Sequence, residues 1–335
     1  MSMASPAGLP RPPRGKAEWP WVNSTVGRTN TARSDTPERR ISIVTPSFNQ
    51  ADFLEKTIRS VLLQGYPDLE YIVVDGGSTD GSVEIIRKYE RHLAYWVSET
   101  DAGQSHAINK GFSRATGDIF AWLNSDDFYA PGVLSRVAAE FAARPEIGLV
   151  YGDCLFLDEG DGSTRLRPAR QMGFDRLLVG DNPIWQPSTF FRRSVFEEAG
   201  GVDESLHLAL DYDLWLRSTK STQFLLLGGP PLSVVHDHPR TKSRRHSSEF
   251  IREILRAVEN FYNTPDVPAE AVRLRPTSLA HLYFECGSAT ALAGNSLRAA
   301  LPWFLRAVRA DFRMLLRAPW IGWKLSQLFV RRAVG

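Results

Sequence analysis

Long apolar runs are missing from this chain of 335 residues. Without about 20 consecutive apolar residues, a membrane-spanning helix is not expected. Cysteine is scarce: Cys154 and Cys286 are the only two, and they lack a metal-type spacing. A disulfide framework is therefore not expected, and a reducing, cytoplasmic setting is the default. No apolar stretch suits a signal peptide, since residues 1–20 carry Pro and Arg instead. The formal net charge is only +2, and no nucleic-acid-binding module accompanies it, so nucleic acid is not an expected partner. Two phosphate-binding signatures are also missing. The first clear strand runs into Pro46-Ser47-Phe48-Asn49 rather than G-x-G-x-x-G, and no Walker-type lysine follows a glycine turn. A dinucleotide-dependent dehydrogenase, a P-loop enzyme and a nucleotidyltransferase are disfavoured on that ground.

What is present is a regular alternation. Residues 1–40 hold six prolines and seven Arg or Lys with few aliphatics, the composition of a mostly disordered leader. Trp19-Pro20-Trp21 is the exception and is expected to dock on the folded body. From Ile41 onward, strand patterns at 41–45, 70–74, 95–97 and 119–122 alternate with helical spacings. The first helix carries Leu54, Ile58, Val61 and Leu62, with Asp52 and Glu55 at capping-box-like spacing. The expectation is an α/β domain over residues 41–245 with a mainly parallel central sheet flanked by helices. Polar clusters fall after the strands and before the helices, at the edge of such a sheet where ligands bind.

The most informative cluster is Asn124-Ser125-Asp126-Asp127, at the end of the apolar strand 119–122. Two adjacent carboxylates in a partly buried site need a cation or donors nearby. A divalent metal carrying a diphosphate answers that need, and a solvated acidic turn is the plain alternative. Asp75 ends the second strand before a glycine-rich turn. It can accept from a base N–H or a ribose hydroxyl, or serve only as a turn aspartate. Asp211 and Asp213 open a helix and suit its positive end. His236-Asp237-His238-Pro239-Arg240-Thr241-Lys242-Ser243 reads either as a loop completing a metal–diphosphate site or as a solvated basic turn.

Taken together, the ordered motifs TPSFNQ with SVLLQGYP, VVDGGSTDGS, SETDAGQSHAINKG, ATGDIFAWLNSDD, QPSTFFRR, GGVDESLHLALDYDLWLR and HPRTKS resemble glycosyltransferase family 2, the inverting enzymes of the GT-A fold. The resemblance spans about residues 41–243. It implies that Pro46, Asn49, Asp75 and Ser78 surround the nucleoside, and that Asp101, Gln104 and Lys110 approach the nucleotide and donor sugar. Asn124 and Ser125 then lie in the donor site, and Asp126 stands in the metal motif. It further implies Asp211 as general base, with His238, Lys242 and Ser243 on the loop that closes over the diphosphate and His238 as a metal ligand. Asn124 replaces the first acid of the motif, which shifts the metal contact to Asp126 with Asp127 as a fallback. Leu210 replaces the acid that commonly precedes the base, so less like-charge repulsion acts on Asp211. The implied reaction moves a sugar from a nucleoside-diphosphate donor, a UDP-sugar first, to a hydroxyl acceptor with Mn²⁺ or Mg²⁺. A carbohydrate or lipid-linked acceptor in polysaccharide or glycolipid synthesis fits. A nucleotide-sugar-binding scaffold that has lost chemistry is the alternative that Asn124 raises.

Residues 246–335 read as a C-terminal helical region. From Leu297 to Gly335 there are eight Arg or Lys and a single acid, Asp311, with aromatics interleaved at Trp303, Phe304, Phe312, Trp320, Trp323 and Phe329. Such a stretch suits the surface of an anionic membrane, the inner face for a cytoplasmic enzyme. It equally suits a helical hairpin with solvated arginines.

Overall fold

A computed structural model describes residues 8–13, 16, 18–21, 39–238, 247–294 and 296–313. In chain order its elements begin β1 (Ile41–Ser47), α1 (Ala51–Leu62), β2 (Leu69–Asp75), α2 (Ser82–Tyr89), β3 (Tyr95–Ser98), α3 (Gln104–Phe112) and β4 (Ile119–Trp122). Next come β5 (Phe128–Tyr129), α4 (Val133–Ala143), β6 (Ile147–Gly152), β7 (Cys154–Asp158), β8 (Thr164–Arg167), α5 (Phe174–Leu178), β9 (Thr189–Arg192) and α6 (Arg193–Ala199). The described elements end with α7 (Leu210–Ser218), β10 (Gln223–Leu227), β11 (Ser233–Asp237), α8 (Ser247–Tyr262), α9 (Ala269–Gly294) and α10 (Leu297–Ala310). The described residues fall into two units. The first takes in those within 1–171, 184–207 and 221–238, and the second those within 172–183, 208–220 and 239–335.

The first unit is built on a seven-stranded sheet of order β10-β6-β9-β4-β1-β2-β3. β1 pairs in parallel with β2 and β4, and β2 with β3. Every residue of β1 is buried, as expected for a central strand covered on both faces. Helices α1, α2 and α3 are the crossovers that parallel neighbours require. α3 presses on β1 at Gly111, where a Cβ would sit 2.4 Å from Val44 Cγ1. β9 runs antiparallel to β4 and β6, so the sheet is mixed at that point. A second sheet has the order β5-β11-β7-β8. Its strands are short, and β5 has two residues, too few for a period to register.

The carboxyl ends of β1 to β4 share one edge, and their loops are stitched together. α1 is not closed by the Asp52–Glu55 spacing. Its first N–H, from Ala51, donates to Asp80 Oδ2 of the β2 loop at 2.9 Å. Glu55 instead accepts from Tyr89 Oη at 2.7 Å and from Lys88 Nζ at 2.5 Å. A side chain from another loop wins here because it fixes both loops at once.

Trp19-Pro20-Trp21 does dock, and Arg59 of α1 holds it. This fully buried guanidinium donates to the carbonyls of Pro10 (2.8 Å), Pro20 (3.2 Å) and Trp21 (2.8 Å), and to Tyr89 Oη (3.1 Å). Trp19 Nε1 donates to the Tyr129 carbonyl at 2.8 Å. Replacing Arg59 with Met leaves these acceptors without a donor. The expected result is a loss of about 3 kcal/mol in urea melts, with faster chymotryptic cleavage after Trp21. Unchanged melting and cleavage would show that the guanidinium does not hold the segment.

In the second unit the OH of Tyr212 on α7 donates to the Leu177 carbonyl of α5, and Ser278 Oγ of α9 donates to that of Leu178. Both cysteines are free and buried. Among the described residues no helix is long and apolar enough to cross a membrane. The leader between Trp21 and Arg39, the loop residues Lys242 and Ser243, and the tail beyond Arg313 lie outside the described residues.

Candidate active site

The first two strand ends form a cradle. Asp75 is fully buried, and its Oδ2 accepts from the N–H groups of Gly77 (3.1 Å) and Ser78 (2.8 Å) and from Ser98 Oγ (2.7 Å). Its Oδ1 accepts from Ser78 Oγ at 2.5 Å. In this structure the carboxylate is engaged by its own turn. Asn49 takes a left-handed backbone (φ 52°), accepts from the Thr79 N–H at 2.9 Å and donates its own N–H to Ser78 Oγ at 2.8 Å. Pro46 is buried in β1, and the neighbouring Ser47 hydroxyl is buried without a partner. An orphaned buried hydroxyl at a strand end is a place for a ligand to supply the missing bond. Ser47 was passed over in the sequence, where a serine beside a proline carries no distinctive signal. Gly76 lets the turn approach Asp101, whose Oδ2 would lie 3.0 Å from a Cβ there. Asp101 Oδ1 accepts from the Gly103 N–H at 2.8 Å, and Lys110 pairs with Glu99. A cavity of about 590 Å³ opens beside the turn, lined among others by Ser78, Thr79, Arg87, Trp96 and Ser98. Pro46, Asp101 and Asp126 do not line it, so it is a neighbouring recess rather than the cradle.

The acidic strand end after β4 is held from three sides. Asn124 Oδ1 accepts from Gln104 Nε2 at 2.8 Å, and Asn124 Nδ2 donates to Gln186 Oε1 at 3.2 Å. Gln186 in turn donates to the Trp122 carbonyl at 2.8 Å. Thr57 of α1 donates to the carbonyls of Ser125 (2.9 Å) and Asp127 (2.7 Å). β5 follows at once and pairs antiparallel with β11, Val234 facing Phe128. That pairing brings His238 back to Asp126, with Nε2 and Oδ2 3.2 Å apart. The buried His238 ring also stacks on Phe53 at 4.8 Å. Burial pushes the Asp127 carboxyl well up, and the neighbouring Asp126 adds to the rise. His236 stands on the same side of its strand as His238. Burial and Lys56 lower it to about 4, and burial lowers Lys56 to about 8. Lys56 Nζ lies 3.3 Å from His236 Nε2 and over the Phe128 ring. Phe53, Lys56 and Thr57 form an i, i+3, i+4 face of α1. The spacing was legible, but what that face meets was not.

This donor set fits a divalent cation. A carboxylate oxygen and an imidazole nitrogen about 3 Å apart match neighbouring positions around one ion at about 2.1 Å. Among the described residues no group of three or more His, Cys, Asp or Glu forms a cage.

Asp211 belongs to the second unit, on the first turn of α7. It does not cap the helix. Glu253 of α8 does so, accepting from the N–H groups of Leu208 (2.7 Å) and Ala209 (2.9 Å). Asp213 is tied to Arg217 at 2.5 Å. Asp211 has no cationic partner among the described residues. Burial raises its carboxyl to about 6, against the pull of the Tyr212 and Asp211 N–H groups. No neighbouring acid contributes, consistent with Leu210 standing beside it. Glu253 was not singled out in the sequence, because nothing local links it to a helix N-terminus so far away.

A mainly parallel sheet with one antiparallel strand, flanked by helices and accompanied by a small second sheet, is the GT-A arrangement of a glycosyltransferase. S. aureus TarS residues 1–349 in complex with UDP-GlcNAc share it, with a TM-score of 0.59 at 16% identity over 80% of this chain and 79% of that one. So does the mannosyltransferase PcManGT from Pyrobaculum calidifontis in complex with GDP-Man and Mn²⁺, with a TM-score of 0.57 at 21% identity over 89% and 87%. The family model for glycosyl transferase family 2 matches residues 42–200. An uncharacterized glycosyltransferase of Mycobacterium tuberculosis is 32% identical over 53% of this chain and 68% of its own length. A PGL/p-HBAD biosynthesis glycosyltransferase of Mycobacterium bovis is 33% identical over 52% and 68%. The chain belongs to glycosyltransferase family 2.

Proposed function

We propose that the chain transfers a sugar from a nucleoside-diphosphate donor, a UDP-sugar first, to a hydroxyl of a carbohydrate or lipid-linked acceptor, with inversion at the anomeric carbon. The observation that carries this reading is the approach of Asp126 Oδ2 to His238 Nε2, 3.2 Å, on the sheet edge that also bears the Asp75 turn. The complexes of structural relatives with UDP-GlcNAc and GDP-Man support a nucleotide-sugar donor. Asp126 and His238 would hold Mn²⁺ or Mg²⁺, which when bound supplies charge to neutralise the leaving diphosphate. Asp127 is the reserve ligand. The cradle of Pro46, Asn49, Asp75 and Ser78 orients the nucleoside, and Asp101, Gln104, Lys110, Asn124 and Ser125 line the path to the sugar. Lys242 and Ser243, outside the described residues, are assigned to the diphosphate by the family resemblance. Asp211 takes the proton from the acceptor hydroxyl as it attacks. With one base and no carboxylate nucleophile, a single displacement inverts the centre.

The test is a thermal-shift panel of UDP, GDP, dTDP and CDP, each with Mn²⁺, Mg²⁺ or EDTA. Metal-dependent stabilisation by one nucleotide, on the order of 3 °C near a hundredfold excess over Kd, is expected. No stabilisation by any of the four would overturn the nucleotide-sugar reading, and stabilisation without transfer would support the scaffold.

A further inference from the structure

The C-terminal hairpin turns its aromatics inward. Trp303 meets Tyr283 of α9, with ring centroids 6.3 Å apart, and Phe304 meets Phe284 at 5.3 Å. Gly287 leaves room for the Phe304 ring, since a Cβ there would lie 2.6 Å from Phe304 Cε1. Ala300 and Ala307 complete this packed side of α10. The helix therefore uses the aromatics of its described part for its own packing. That disposes of them as an interfacial anchor, but it leaves another face open.

On that face Leu297, Leu301 and Leu305 are 48%, 53% and 49% exposed. At 3.6 residues per turn, these three and the half-buried Val308 fall within about 80° of one another. Phe312, just past the helix, is 71% exposed. Arg298 and Arg309 are exposed and follow next around the circumference, beside the leucine stripe, and the exposed Arg306 lies further round with its guanidinium 5.1 Å from the Trp303 ring centre. From 297 to 310 there is no acid. Asp311, which follows, is paired with Arg313 at 2.9 Å and accepts from Thr277 at 3.0 Å.

We propose that this face of α10 is a docking surface for an anionic lipid bilayer. Three half-exposed leucines in a row cost solvation unless something covers them. Charge selects the cover. Exposed arginines beside a leucine stripe match a bilayer interface, where side chains enter the acyl boundary and guanidinium groups stay at the phosphate level. Each cation near such a surface adds attraction that falls away within a Debye length.

The test uses the full chain with sedimenting vesicles of phosphatidylcholine alone or with about 30% phosphatidylglycerol. Binding to the anionic vesicles only is expected, weakened by at least about tenfold when salt rises from ~0.1 to ~0.5 M. The double variant Leu301→Asp, Leu305→Asp should lose at least about tenfold in partitioning. Its circular dichroism and melting should be unchanged, since both side chains lie outward. Arg298→Gln with Arg306→Gln and Arg309→Gln should abolish the preference for phosphatidylglycerol. Three results would overturn the proposal. One is equal binding to neutral vesicles, and another is full binding by the leucine double variant, which would put the contact elsewhere in the chain. The third is a dimer in light scattering that the same double variant dissociates, which would make a second copy the cover.

Discussion

Asp126→Ala is expected to abolish the effect of Mn²⁺ on nucleotide affinity and to lower transfer on the order of 10³-fold, the loss typical when one preorganised charge at the reacting centre is removed. The reason lies in the spacing of Asp126 and His238, 3.2 Å. Without the carboxylate, only the single Nε2 of His238 remains as a ligand. Asp127 is a poor substitute, since burial already pushes its carboxyl toward the protonated form. It is also engaged, with Asn124 Nδ2 at 3.4 Å. The variant should still fold, because Asp126 is not part of the buried core and Thr57 holds the loop through the carbonyls of Ser125 and Asp127. Calorimetric titration of nucleotide with and without Mn²⁺ decides the matter. If Asp126→Ala titrates like the parent while Asp127→Asn loses the metal effect, the ligand is Asp127.

Asp211→Asn should separate binding from turnover. Nucleotide affinity should stay near that of the parent, while kcat falls by about 10²–10⁴, the range for loss of a general base. The parent rate should rise with pH through about 6, where the Asp211 carboxyl ionises, and then level off. The variant should lack that limb. Stability should move the other way. Burial raises the folded-state pKa above the unfolded one, so the protonated form is favoured on folding. That preference costs nothing below about pH 4, and it becomes a growing cost as pH rises through about 6. Asn avoids it. The variant should therefore be more stable than the parent by about 1–2 kcal/mol at pH 8, after allowance for partial exposure, and equal to it near pH 4. Urea melts at the two pH values measure this. Near-normal turnover in Asp211→Asn would remove the residue from the base role.

Much of the architecture could be read directly. The strands 41–45, 70–74, 95–97 and 119–122 were expected and are found as β1 to β4, each extended by no more than two residues at either end. Their period is local, and their Pro, Gly and Asp punctuation is chemical. The helix starting at 210 was expected too, though not what closes its N-terminus. The sheet was expected to be mainly parallel, and the exception, β9, could not be foreseen because strand direction leaves no mark on a run as short as Thr189 to Arg192. The tail shows the same limit. Its aromatics suggested an interface, but Trp303 and Phe304 face α9, and the leucines beside them face outward.

What the sequence determined by itself is the set of local choices: which segments are strands, which are helices, and which strand ends carry carboxylates, hydroxyls and tight turns. These follow from side-chain periodicity and backbone preference over a few residues. What only the tertiary structure decided is who meets whom. Asp126 and His238 stand 112 residues apart in the chain and meet because β5 pairs with β11 in one register. Glu253 reaches the start of α7 across 45 residues, and Asp80 reaches the start of α1 across 29. Such meetings depend on strand register and helix packing. A one-residue slip would turn every side chain of a strand to its other face, and neither choice is written in a residue's own neighbourhood.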